Sequence, residues 1–258
     1  MVLTVLNYEI IEDVAVIKMD NPPVNALGPA FLDDFTQVLT HLKSGKKARS
    51  LLLASDCPGF FSAGDDVTQL EDISDDLISL LPQAHALFND LEVLPLPTVA
   101  AINGHALGGG LELALVCDFR FMAEGSGRIG LPEVRLGLIP SLGGTQRLPL
   151  IVGKARAVEM MFKGLQLTPE EALQIGLVNE VFPRDELYEK SFDYARRLAR
   201  QATGAIARIK SCVNTGAKRG FQEGLTRELE AFKENIFTPD AKEGVSAFLS
   251  NRKPEFKG

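Results

Sequence analysis

Two glutamates stand beside glycine-rich turns: Glu112 in GHALGGGLELAL (residues 104 to 115) and Glu133 in RIGLPEVRLGLIPSLGGTQRL (128 to 148). Glu112 is flanked by Leu111, Leu113, Ala114, Leu115 and Val116, so it falls on a helical run that must be almost wholly buried. An unpaired carboxylate is rare in such a place, and one whose surroundings tune its proton affinity is a candidate general acid or base. Glu133 lies among prolines and glycines in a mostly apolar loop. Two carboxylates from different segments form a recurrent acid/base pair, although the sequence alone leaves open whether these two meet, and a loop glutamate also serves as a plain solvated acid.

The glycines suggest what the acids would act beside. Gly108, Gly109 and Gly110 follow an apolar strand-like run and open a helix. Without Cβ atoms such a turn lets a ligand touch the backbone, and the first N–H groups of a helix have no internal partner. A second small-residue corner, PGFFSAGDDVTQL (58 to 70), follows another strand-like run. N–H groups from two such corners converging on one oxygen would stabilise an enolate or a tetrahedral oxyanion. Taken singly, each corner also reads as an ordinary strand-to-helix connection, with Asp65 or Asp66 as a helix cap in the second.

Positioning these groups requires an α/β framework. VAVIKM (14 to 19), SLLLAS (50 to 55), TVAAI (98 to 102), FRFMA (119 to 123) and VNEVF (178 to 182) read as strands. Between the first two, Phe31, Phe35, Val38, Leu39 and Leu42 follow helical spacing, with Pro29 in the first turn. Thr168-Pro169-Glu170-Glu171 is a helix start with a cap and a reciprocal acid, and Asp240 with Glu243 repeats that pattern. From about residue 184 only helical patterns remain. The expectation is an α/β core over residues 1–183 and a helical region over 184–258, with no linker-like composition between them.

Composition narrows the function. The chain has 258 residues, enough for one large domain, and 45% are hydrophobic, enough for a real core. A net charge of −7 with no basic block argues against nucleic acid or an anionic membrane as partner, and no apolar run approaches the ~20 residues of a membrane span. Cys57, Cys117 and Cys212 are scattered and odd in number, which suits free thiols in a reducing compartment, the cytoplasm being the expectation. A processed mitochondrial matrix form would leave no trace in this reading. His41, His85 and His105 lack metal-type or triad spacing, so no metal is expected.

SAGDD, AAINGHALGGGLELALVCD and LPEVRLGLIPSLGGTQRLP, in this order and spacing, resemble the crotonase family, the enoyl-CoA hydratase/isomerase superfamily. The resemblance runs from NPPVNAL (21 to 27) to FLSNRKPEFK (248 to 257). It implies a spiral of ββα units with a helical C-terminal trimerisation region, assembled as a homotrimer or a dimer of trimers. It further implies an acyl-CoA thioester substrate, with coenzyme A as part of the substrate and no separate cofactor. The thioester oxygen would lie between the backbone N–H groups of Asp65 and Gly109. CoA and substrate contacts fall on Val24, Ala26, Ala63, Gly64, Asp66 and Gly108. Both family glutamates are matched, by Glu112 and Glu133, which implies hydration of a trans-2-enoyl-CoA to the 3-hydroxyacyl-CoA. Arg252, Lys253 and Lys257 are candidate cations for the CoA phosphates of a neighbouring subunit, with Phe256 as a wall for the acyl chain; an exposed basic tail is the plainer reading.

Some positions depart from the commonest hydratase pattern. Asp65 stands where alanine is frequent, Thr68 where a lysine is frequent, and AEGSGRIG (123 to 130) is about one residue longer. The segment between Glu71 and Glu92, which shapes the acyl pocket in the family, leaves chain length open. The alternatives are an enoyl-CoA isomerase or another crotonase-fold acyl-CoA reaction and, from a different class, a non-catalytic or RNA-binding homologue.

Overall fold

The structure is a computed structural model that describes residues 1–45, 48–64, 75–125 and 127–258. The apolar runs become the central strands of a six-stranded sheet. β1 (Leu6–Ile11) pairs antiparallel with β2 (Val14–Met19), and β3 (Ser50–Ser55), β5 (Thr98–Ile102), β7 (Phe119–Ala123) and β10 (Glu180–Phe182) follow in parallel. β3 and β5 are buried on both faces almost throughout, which explains their continuous apolar character. VNEVF is strand only over its last three residues, because the Asn179 side chain accepts from the Arg120 N–H at 2.8 Å and ends the ladder.

A second sheet was not foreseen from sequence. Its strands β4 (Phe60–Ser62), β6 (His105–Leu107), β8 (Ile129–Gly130) and β9 (Gln166–Leu167) have only two or three residues each. The chain alternates between the sheets. β3 is followed by β4 and helix α2 (Asp75–Glu92), β5 by β6 and α3 (Gly109–Leu115), and β7 by β8 and α4 (Gly144–Val152). The first turn is abbreviated: β2 leads to a single bridge between Ala26 and Gly64, then to α1 (Pro29–Ser44). Repeating strand, short strand and helix winds the expected spiral of ββα units and stacks the βα corners beside one another.

Helix α1 buries Phe31, Phe35, Val38, Leu39 and Leu42, as the spacing predicts. It also buries Asp34, whose Oδ2 accepts the N–H groups of Thr4 (2.6 Å) and Val5 (2.8 Å) and thereby satisfies the acid while fixing the start of β1. After α5 (Lys154–Lys163), helix α6 (Pro169–Gln174) begins with the predicted capping box. The Glu171 N–H donates to Thr168 Oγ1 at 3.2 Å, and the Thr168 N–H donates to Glu171 Oε2 at 2.8 Å. Asp240 does not cap its helix: α10 (Pro239–Leu249) is capped by Thr238 through the Ala241 N–H, the same Thr-Pro order as at Thr168. Asp240 instead accepts the N–H groups of Lys257 and Gly258.

Beyond residue 183, α7 (Leu187–Ala199) lies on the large sheet, burying Leu187, Ala195 and Ala199 against it. α8 (Thr203–Arg219) and α9 (Phe221–Asn235) pack as a pair, close at Gly216 and Gly224. Lys210 on α8 anchors that pair to the sheet: its Nζ reaches Asp118 Oδ2 at 2.8 Å, and the same oxygen accepts from the backbone and hydroxyl of Thr98. Among the described residues no helix is long and apolar enough to cross a membrane.

Candidate functional site

The glycine corners meet. Gly64 has φ +87°, and a Cβ placed there would lie 2.7 Å from both the Gly109 nitrogen and the Leu107 carbonyl oxygen. Two stretches of backbone about 45 residues apart in sequence are therefore in contact where both change from strand to turn. Gly110 packs equally closely on the Ser62 carbonyl. Asp65, Asp66 and Thr68 lie outside the described residues, so this side of the corner is described only as far as Gly64.

The segment holding Val24 and Ala26 runs along the same corner. The Ala63 N–H donates to the Val24 carbonyl at 3.0 Å, the Leu27 N–H donates to the Gly64 carbonyl at 3.0 Å, and the Ala26–Gly64 bridge lies between them. Val24, Ala26, Ala63, Gly64, Gly108 and Gly109 thus gather at one place. A residue missed by sequence reasoning secures them. Asn25, 1% exposed and at φ +52°, donates through Nδ2 to Ser55 Oγ (2.8 Å) and the Phe61 carbonyl (3.0 Å). Its Oδ1 accepts from the Asn21 N–H at 2.7 Å. The available signal was an asparagine in NPPVNAL, since asparagine tolerates the left-handed region that this turn requires.

Helix α3 carries Glu112 from this corner. Gly108, at φ +53°, precedes its first turn, and the Glu112 N–H closes that turn on the Gly108 carbonyl at 3.0 Å. Glu112 is 1% exposed. Its Oε1 accepts two backbone N–H groups, from Leu142 at 2.8 Å and from Gly144 at 2.6 Å. Gly144 is the first residue of α4, so the carboxylate sits at the positive end of a second helix with charge-assisted hydrogen bonds. Gly144 leaves room for this approach: a Cβ there would come within 2.9 Å of Glu112 Oε1 and 2.7 Å of Leu131 Cδ1, so those side chains would have to shift.

Glu133 comes to the same corner from a separate segment. It opens a single 3₁₀ turn, Glu133–Leu136, and its Oε1 would lie 3.3 Å from a Cβ on Gly108. One glutamate is thus carried away from the glycine turn by the helix that the turn starts, while the other lies against the turn from outside. A loop reading of Glu133 as a purely solvated acid does not fit this placement, since the residue is partly buried.

His105 and Arg252 have partners of their own. His105 lies on β6 with its ring 5.0 Å from that of Phe60; burial, then the nearby Arg128 charge, lowers its pKa. Arg252 is committed within its own chain, to both oxygens of Glu243 at 2.6 and 2.8 Å. Arg252 and the Glu255 N–H hold the Glu243 carboxyl well below its ordinary 4.5, at about 2. The contribution of this strap to the C-terminal tail is therefore full above about pH 4.5 and lost as pH falls through about 2. Amide protection at Glu255, corrected for the intrinsic exchange rate, should fall over that window; protection persisting well below pH 2 would remove the pair from this role.

A spiral of ββα turns whose glycine corners meet, with one glutamate on the helix that starts there and another against Gly108, is the arrangement of a crotonase-type fold. The family model described as enoyl-CoA hydratase/isomerase matches residues 9–258, and the chain belongs to this family. It is 37% identical over 249 residues to a probable enoyl-CoA hydratase of Bacillus subtilis, covering 95% of each chain. It is 38% identical over 239 residues to the mitochondrial methylglutaconyl-CoA hydratase of Homo sapiens, covering 91% of this chain and 70% of that one. The crystal structure of an enoyl-CoA hydratase from Geobacillus kaustophilus superposes with a TM-score of 0.95 at 36% identity, covering 100% of this chain and 98% of that one. The activity is accordingly that of a crotonase-fold hydratase/isomerase on an acyl-CoA.

These relatives correct the cytoplasmic expectation. The human protein and its rat and mouse counterparts are mitochondrial methylglutaconyl-CoA hydratases. The expectation rested on free thiols, and these suit any reducing compartment, so the cysteine count cannot separate cytoplasm from mitochondrion.

Proposed function

We propose that the protein is an enoyl-CoA hydratase, adding water across the 2,3 double bond of a trans-2-enoyl-CoA to give the 3-hydroxyacyl-CoA. The observation that supports this reading is that Glu112 lies on the helix that opens at Gly108 while Glu133, from a separate segment, has its Oε1 against Gly108. In the reaction, the thioester oxygen accepts hydrogen bonds from the N–H groups of Asp65 and Gly109. That polarisation makes C3 electrophilic. Glu112, as carboxylate, takes a proton from water as the water oxygen bonds to C3, and Glu133, protonated at the outset, supplies a proton to C2. The proton gained by Glu112 then returns to Glu133 by way of solvent, so the elements of water are added and no redox partner is required. The backbone of Val24, Ala26, Ala63, Gly64, Asp66 and Gly108 contacts the CoA and thioester.

An isomerase needs only one shuttling acid to move a double bond between positions 3 and 2. Retention of two carboxylates at the corner favours hydration. The discriminating experiment compares a 3-enoyl-CoA with its trans-2 isomer at equal concentration. Hydration of the 2-enoyl substrate is expected to be the faster reaction; faster conversion of the 3-enoyl substrate would replace hydratase by isomerase.

The helical region from residue 184 onward is the assembly region in this reading. Val213, Phe221, Phe237, Phe248 and Leu249 on and beside α8–α10 are each more than 60% exposed, an apolar area suited to burial between subunits of a trimer or a dimer of trimers. The compartment is mitochondrial, by similarity to the methylglutaconyl-CoA hydratases.

A further inference from the structure

The two N–H groups that hold Glu112 Oε1 belong to a turn, residues 142 to 144, and that turn is itself gripped from behind. Arg147, in the first turn of α4, folds back so that Nη1 donates to the Leu142 carbonyl at 2.9 Å. Gly143, at φ +99°, leaves the space for it: a Cβ there would collide with the Arg147 guanidinium. Leu142 is thus fixed on both sides, its N–H on Glu112 and its carbonyl on Arg147.

Arg147 is in turn held by α2. Its Nη2 donates to Asn89 Oδ1 and Glu92 Oε2, both at 2.8 Å. Glu92 Oε2 also accepts from Lys218 Nζ of α8 at 2.6 Å. The Arg147 and Glu92 side chains are only 11% and 14% exposed, so this is a desolvated pair with little freedom rather than a surface ion pair. Burial alone would raise the Glu92 carboxyl, but the hydrogen bonds from Arg147 and Lys218 outweigh it and hold its pKa below the usual value.

We infer that Arg147, locked by Glu92, is a positioning residue that holds the 142–144 turn in register with Glu112. It touches neither Glu112 nor, in the proposed reaction, the substrate. The brace runs from α8 and α2 to the turn, and from the turn to the carboxylate. The inference rests on the reading of Glu112 as the base in hydration, although the grip on the turn has a consequence of its own that does not depend on activity.

The test uses Arg147→Met, Arg147→Ala and Glu92→Gln in the full-length protein, with crotonyl-CoA as the probe substrate. A misplaced catalytic group costs up to ~10²-fold in rate, so Arg147→Met should lose kcat on that scale. KM should stay within about twofold, because the acyl-CoA contacts lie elsewhere. Guanidinium ion should partly restore kcat in Arg147→Ala. Glu92→Gln, which keeps the arginine, should show a smaller loss in the same direction, and it carries the test if the Arg147 variants fail to fold. Independently of turnover, amide exchange at Leu142 and Gly144 should quicken by about tenfold in Arg147→Met while β5 amides keep their rates. Wild-type kcat with unchanged exchange at Leu142 and Gly144 would overturn the inference, as would a uniform quickening of all amides without guanidinium rescue. If the wild type itself does not hydrate crotonyl-CoA, the hydratase reading fails, and the exchange of these two amides alone decides the positioning role.

Discussion

Glu112→Gln and Glu133→Gln should each lower kcat for hydration by about 10²- to 10⁴-fold, the range that positioned acid–base groups contribute. Glutamine is the informative replacement at position 112. Glu112 Oε1 accepts the Leu142 and Gly144 N–H groups, and an amide oxygen in its place continues to accept them while no longer taking a proton from water. Alanine would instead strand two buried donors, at roughly 1–3 kcal/mol each, and confuse catalysis with stability. The double variant should lose little more than the worse single one, since the two groups act on one addition. Steady-state kinetics on crotonyl-CoA with the three variants checks this, alongside thermal unfolding to show that the Gln variants keep wild-type stability. Near-normal turnover in either single variant would remove that residue from its role.

The second large effect is expected at Gly64. Gly64→Ala puts a Cβ 2.7 Å from the Gly109 nitrogen and the Leu107 carbonyl, and both neighbours are backbone, so neither can turn aside. The corner must open, and in the proposed reaction this moves the Gly109 N–H away from the thioester oxygen it would hold. Loss of one such donor costs about 10²- to 10³-fold in kcat. Gly59→Ala is the matched control. Gly59 also has a positive φ, +76°, but nothing lies within 4 Å of its Cβ position, so alanine there pays the left-handed backbone cost of about 1–2 kcal/mol without a collision. Gly59→Ala should lose stability and keep kcat, whereas Gly64→Ala should lose kcat as well. Equal kcat in the two variants would mean that closeness at the corner does not matter for the reaction.

The elements that position the site were legible where burial is two-sided and continuous. VAVIKM, SLLLAS, TVAAI and FRFMA are strands over the residues read from the sequence, and α1 buries the face its spacing marks. The small sheet was not legible, because β8 and β9 have two residues each and no periodicity can be carried by two residues. β1 alternates in burial along LNYEII, a weak signal for a strand at the sheet edge.

At the site, the burial of Glu112 followed from its apolar neighbours, and the repeated design of the glycine corners raised their convergence as one of two readings, the one the contact of Gly64 with Gly109 bears out. The partners of Glu112 did not follow. Leu142 and Gly144 act through N–H groups, which every residue but proline has, so residue type carries no trace of the role. Arg147 escaped for a different reason: the acid that holds it is 55 positions away in sequence, beyond any local pattern.

The most direct test of the two-glutamate hydration is to incubate the wild-type protein with crotonyl-CoA in ²H₂O and determine the mass and deuterium position of the product. The expected product is 3-hydroxybutyryl-CoA carrying one deuterium at C2, with the new hydroxyl at C3. Deuterium entering the acyl chain without addition of water would identify an isomerase, and unchanged crotonyl-CoA would contradict hydration of this substrate altogether.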